Sequence, residues 1–156
     1  MVQMFWTDIY FLVSEPNLNC LERLSTTLSP ASLKTLKSVT ITPLIDWENF
    51  DPYANWTHEL QQLAGRNVLE VLVIDIDVET NSRCTTDPAR WAQLDIVLSG
   101  GGFPYLGCVE LKVTVWHAAP VDEEFMARLR RIEDQFQWLR ESKEVDFSFS
   151  LRSEWV

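Results

Sequence analysis

Residues 106–116 read Leu-Gly-Cys-Val-Glu-Leu-Lys-Val-Thr-Val-Trp, and their alternation decides the fold. Val109, Leu111, Val113 and Val115 are apolar; Glu110, Lys112 and Thr114 between them are polar, and Trp116 follows on the same parity. A period of two is that of a half-buried strand, because successive side chains point to opposite faces of a sheet. The pattern recurs upstream. Leu36-xx-Val39-x-Ile41 and Leu69-xx-Leu72-x-Ile74-x-Ile76 reproduce Leu106-xx-Val109-x-Leu111-x-Val113-x-Val115. Val145-x-Phe147-x-Phe149-x-Leu151 keeps the alternation without the leading Leu, and Met4 to Val13 is a weaker fifth candidate.

Helical patterns fill the gaps. Residues 17–28 align Leu18, Leu21, Leu24 and Leu28, between Pro16 and Pro30. Residues 55–64 align Trp56, Leu60, Leu63 and Ala64, and Gly65 is a natural stop. Residues 87–98 begin with Asp87-Pro88, align Trp91, Leu94 and Leu98, and run into Ser99-Gly100-Gly101-Gly102. Residues 121–140 carry Phe125, Leu129, Ile132 and Phe136 at helical spacing. Asp122, Glu123 and Glu124 sit at the start and Arg140 and Lys143 at the end, where the helix dipole favours each sign. The order is β-α-β-α-β-α-β-α-β.

Strands buried on both faces read as continuous apolar runs. These mostly do not: Thr40, Thr42, Asp75, Asp77, Glu110, Lys112, Thr114, Asp146, Ser148 and Ser150 line the second face, and only Val71 and Val73 break the rule. A sheet wet on one face, with a helix after each strand, puts every helix on the same side. The expected fold is α/β, a solenoid with a single parallel sheet and helices on one side. The L-xx-L-x-L core resembles the strand half of a leucine-rich repeat, so the solenoid is one of degenerate leucine-rich-like β-α repeats. One domain over residues 1–156 is expected, complete or a fragment of a longer solenoid. Aligning the repeats puts Thr40, Val73, Glu110 and Asp146 in one open-face row, and Thr42, Asp75, Lys112 and Ser148 in the next. The inward rows are then Leu72/Val109/Val145 and Ile74/Leu111/Phe147.

Trp91-xx-Leu94-Asp95-xx-Leu98, followed by Phe103-Pro104-Tyr105-Leu106-xx-Val109-x-Leu111-x-Val113, resembles a repeat of basidiomycete (fungal) F-box and F-box-like proteins. The resemblance covers roughly residues 18–151. In that family an F-box helical bundle docks on a ubiquitin-ligase adaptor, and the repeats that follow recognise substrate. Here no Leu-Pro-containing helical bundle precedes the first repeat. The resemblance therefore implies a substrate-recognition-like repeat region and not adaptor binding.

Charge narrows the function classes. The 156 residues carry 13 Lys+Arg against 23 Asp+Glu, a formal charge of −10, with 46% hydrophobic residues and seven Trp. The chain is too apolar for disorder, and it can bury roughly two thirds of its extended surface. An acidic chain without a basic patch has no counterions to release on nucleic acid, and no attraction to anionic membrane surfaces. No apolar run reaches the ~18 residues of a membrane span. Residues 1–16 lack a basic n-region and carry Asp8, unlike a signal peptide. Cys20, Cys84 and Cys108 form no disulfide framework, which fits a reducing compartment. The expected location is intracellular, cytoplasmic or nuclear.

Catalytic constellations are few. Leu72-Val73-Ile74-Asp75-Ile76-Asp77 looks like the first motif of haloacid-dehalogenase-type phosphohydrolases, a resemblance that implies Asp75 as nucleophile, Asp77 as acid/base and Mg²⁺ between them. Two residues apart on one strand face, the carboxylates lie about 6.6 Å apart, which a cation can bridge. The sequence departs from that pattern at Glu79, where Thr or Val belongs, and Lys112 falls mid-strand with no Gly-Asp-xxx-Asp after it. The plainer reading is two solvent-facing positions of an open sheet. Ser99-Gly-Gly-Gly runs from helix to strand, the reverse of a phosphate-cradling loop, and reads as a helix stop. His58 and His117 with the three cysteines lack ligand spacing, so no metal and no cofactor is expected. His58 reads as exposed and Cys108 as a small packed residue.

Trp91 and Trp138 read as helix core residues. Trp116 falls on the open-face parity beside Glu79, where an aromatic either anchors a partner or packs on a loop. Trp6 and Trp155 sit near the two ends, and in the last unit Phe147, Phe149 and Trp155 look uncapped; solenoid ends need covers. The expected function is a non-enzymatic protein–protein interaction module. Its partner-binding face comprises Asp75, Asp77, Glu110, Lys112, Thr114 and Trp116, suited to basic groups on a protein partner. The alternatives are a small Mg²⁺-dependent phosphohydrolase and a truncated product without a role of its own.

Overall fold

The computed structural model describes residues 9–13, 30–45, 53–79 and 87–156. Five strands, β1 (Ile9–Val13), β2 (Ser38–Ile45), β3 (Val71–Glu79), β4 (Cys108–His117) and β5 (Asp146–Trp155), form one parallel sheet in chain order. Between them lie α1 (Pro30–Leu33), α2 (Tyr53–Leu63), α3 (Pro88–Ser99), α4 (Glu123–Arg130) and α5 (Gln137–Glu141), with a 3-10 turn at Glu133–Gln135. The expected helix over 17–28, Met4 to Asp8, Cys20 and Cys84 lie outside the described residues.

Alternation becomes burial with a period of two. Along β4 Val109, Leu111, Val113 and Val115 are buried, while Glu110, Lys112 and Thr114 stay half-exposed. The buried face joins Trp56, Leu60, Trp91, Leu94, Leu129 and Leu139 of the helices in a single core. α2 packs on α3 and α3 on α5. Local chemistry sets the helix ends. Asp87 accepts the Ala89 amide at 3.0 Å ahead of Pro88, and Asp122 accepts that of Glu124 at 3.0 Å. Gly65 (φ 70°) and Gly101 (φ 79°) take the left-handed turns expected beyond α2 and α3. A Cβ on Gly102 would stand 2.7 Å from that of Ala64, so the two stops nest.

The register from β2 to β4 is the expected one: Thr40 opposite Val73 opposite Glu110, and Asp75 opposite Lys112. β5 differs by two residues. Glu110 faces Ser148, not Asp146, and Lys112 faces Ser150. The inward rows are therefore Leu72/Val109/Phe147 and Ile74/Leu111/Phe149. The last turn consumes the extra residues: Ser142 Oγ accepts the amides of Glu144 and Val145 at 3.2 and 3.1 Å, holding Val145 ahead of the strand.

The helix expected over 121–140 is also broken. Phe136 leaves the helical region (φ −94°, ψ 56°) and swings into the core. There it stacks on Phe147 at 4.9 Å and meets Trp91 edge-on at 5.8 Å. The chain restarts as α5 because Asp95 of α3, 1% exposed, receives its first free amides, Trp138 at 2.9 Å and Leu139 at 3.0 Å. Leu139 is buried, while Trp138 is 64% exposed rather than in the core: two residues beyond Phe136, about 200° round a helix, it falls off the apolar stripe.

Candidate functional site

The face of the sheet turned away from the described helices brings the six expected residues together. Asp75 and Asp77 project from β3 on the same side as Glu110, Lys112 and Thr114 of β4, because all share one pleat parity. All five are half-exposed, and Trp116 ends their row with 38% of its surface exposed. β5 extends the face with Ser148, Ser150 and Arg152.

Two contacts organise it. The Trp116 indole N–H donates to Asp77 Oδ1 at 2.7 Å, reaching diagonally back across the β3–β4 ladder. That bond pins the ring on the open face rather than in the core. The Lys112 ammonium pairs with Glu110, one pleat back on its own strand, at 2.7 Å. Backbone pairing sets Lys112 beside Asp75 as expected, but the ion pair goes to Glu110. Both partners are partly exposed, so the pair contributes about 0–1 kcal/mol and orients more than it stabilises.

Asp75 feels the consequence. Partial burial raises its pKa, the Asp77 carboxylate adds to the rise, and Lys112 and Arg152 oppose it. Folding thus favours the protonated form. Stability is withdrawn as pH climbs from the ordinary value of 3.8 through the raised one, and stays withdrawn above it. Asp75→Asn is expected to raise the melting temperature at neutral pH. The gain should disappear below about pH 3, where both states hold the proton anyway. Thermal melts of the two proteins across that range check both the sign and the window.

His117, 4% exposed, approaches Ala119 O at 3.1 Å and Ser153 Oγ at 2.8 Å, and its ring lies 4.3 Å from that of Trp155. His58 is exposed, and Cys108 sits half-buried at the start of β4, where burial raises its thiol pKa and the Glu110 and Asp146 carboxylates add to it. Among the described residues no three His, Cys, Asp or Glu are grouped to hold a metal ion. No described helix is long and apolar enough to cross a membrane.

Sequence reasoning missed a groove. It has a volume of about 690 Å³ and runs between the Gly101–Gly107 turn and the α5–β5 turn, with Tyr105 (62% exposed) and Trp138 among its walls. Trp138 was expected in the core, although its spacing of two from Phe136 puts it off the apolar stripe. No protein-family model, no curated protein and no solved structure matches this chain.

Proposed function

We propose that the chain is a solenoid of degenerate leucine-rich-like repeats whose open sheet face binds a protein partner without catalysis. In this it would be similar to the substrate-recognition repeats of F-box-type ubiquitin-ligase receptors. The observation that carries the reading is the polar, partly exposed face itself, with Trp116 held on it by Asp77. An indole fixed at the rim of a polar patch offers contact area at low entropic cost. Asp75, Asp77 and Glu110 outnumber Lys112, so a partner presenting basic groups fits best.

The strand approaches favour a repeat architecture. Lys37 O accepts the amides of Glu70 and Val71, Glu70 O accepts those of Gly107 and Cys108, and Gly107 O accepts that of Asp146. Each unit thus hangs on the equivalent carbonyl of the unit before it, the nearest-neighbour linkage of repeat proteins. The phosphohydrolase alternative gains less from the geometry, because one oxygen of Asp77 is engaged by an indole.

A tagged pull-down from native extract, read by mass spectrometry, tests the proposal. An Asp75→Ala/Lys112→Ala variant should fold as the wild type does and lose the captured protein partner. A Tyr105→Ala variant, off the face, should keep it. Equal capture by all three proteins overturns the face assignment. Mg²⁺-dependent phosphatase activity that disappears in Asp75→Asn would overturn the non-enzymatic reading.

A further inference from the structure

Among the described residues β5 is the outermost strand on its side of the sheet, and it is incompletely covered. Val109, Leu111 and Val113 of β4 are each 1% exposed, whereas their neighbours Phe147, Phe149 and Leu151 are only partly buried. The backbone is half-used as well. Asp146 N donates to Gly107 O at 2.9 Å, and Val156 N donates to His117 O at 3.1 Å. Even-numbered residues of β5 therefore turn their amides and carbonyls toward β4. The alternating parallel ladder leaves those of 147, 149, 151, 153 and 155 pointing outward. A strand edge with free polar groups and apolar side chains beside it is a template for another strand.

We infer that this edge pairs with the same edge of a second copy, antiparallel about a two-fold axis through Phe149 and normal to the sheet. Charge selects the register. Pairing on Phe149 sets Asp146 of each copy opposite Arg152 of the other, with Phe147 opposite Leu151. Asp146 and Arg152 are both exposed, on the same face. Moving the register on by two residues sets Asp146 against Glu154, a like-charge clash. Centring on Leu151 opposes no opposite charges. Centring on Ser153 opposes Arg152 and Glu154 but leaves both phenylalanines outside the overlap. Of these registers, the Phe149 one satisfies charge and apolar cover together. Because the axis is normal to the sheet, both open faces stay on one side, and the dimer presents one ten-stranded surface. This inference is independent of what that face binds.

Sedimentation velocity from micromolar to submillimolar concentration tests it with the full chain. The wild type should show a reversible monomer–dimer equilibrium. Asp146→Arg alone opposes Arg to Arg, and Arg152→Asp alone opposes Asp to Asp. Each should weaken dimerisation at least about tenfold, since two symmetry-related pairs turn from attractive to repulsive. Mixed in equal amounts, the two variants restore both opposite-charge pairs and should associate with wild-type affinity. Loss through misfolding cannot produce that rescue. A monomeric wild type, a dimer that either single variant leaves intact, or a mixture no stronger than its components each overturns the inference.

Discussion

Trp91→Ala should destabilise the protein by about 4 kcal/mol, the largest effect expected of any single substitution in α3. Trp91 is fully buried, 0% exposed. It lies on the same face of α3 as Leu94 and Leu98, and it receives the edge of Phe136 at 5.8 Å. Its removal deletes the largest side chain of that face and leaves a void beside Phe136. Phe136 is tied on its other side to Phe147, so it cannot collapse into the space cheaply. Domains of this size are stable by about 5–15 kcal/mol, so the variant should be partly unfolded near physiological temperature. Urea titration followed by far-UV circular dichroism checks the value. A loss under about 1 kcal/mol would mean that Trp91 is not a core residue.

Asp95→Ala comes second, at about 3 kcal/mol. Its two carboxylate oxygens each accept one backbone amide from the start of α5. A hydrogen bond to a charged group contributes about 1.5–3 kcal/mol, and the amide left behind at buried Leu139 would lack its acceptor. Asp95→Asn keeps one acceptor oxygen and should cost roughly half as much. The loss should be local before it is global. Hydrogen exchange at Trp138 and Leu139 should speed up more than at β3, because α5 loses its anchor while the central strand keeps both ladders.

These two residues explain what the Trp91-xx-Leu94-Asp95-xx-Leu98 motif is for. Positions 91, 94, 95 and 98 form one helical stripe, and a carboxylate on an apolar stripe must find donors. That was the signal available in the sequence for Asp95, though nothing local indicated that its donors lie 43 and 44 residues ahead. The strands were more legible. Their apolar–polar alternation marks the buried face, and the repeated L-xx-L spacing fixes how successive strands align from β2 to β4. At β5 the leading Leu is missing, and alternation alone leaves the register undetermined by two, since a slip of two residues buries the same face. The break at Phe136 was illegible for a related reason: its helical spacing from Ile132 is perfect, and only the stacking partner Phe147, from another element, draws it out of the helix. The open-face residues could be assembled from parity, but the indole–carboxylate bond of Trp116 could not, since Asp77 lies 39 residues away.

Strand order has a consequence for how such a chain is made and undone. Each described strand pairs with its neighbours in chain order, at sequence offsets of 30, 33, 37 and 38 residues. Each step of assembly closes a connection of similar length, so the entropic toll per strand stays nearly constant instead of growing with the chain. A nascent chain can lay down each strand on the one already finished as it is synthesised. Under tension from the two ends it should come apart in a series of small rips, not in a single catastrophic one.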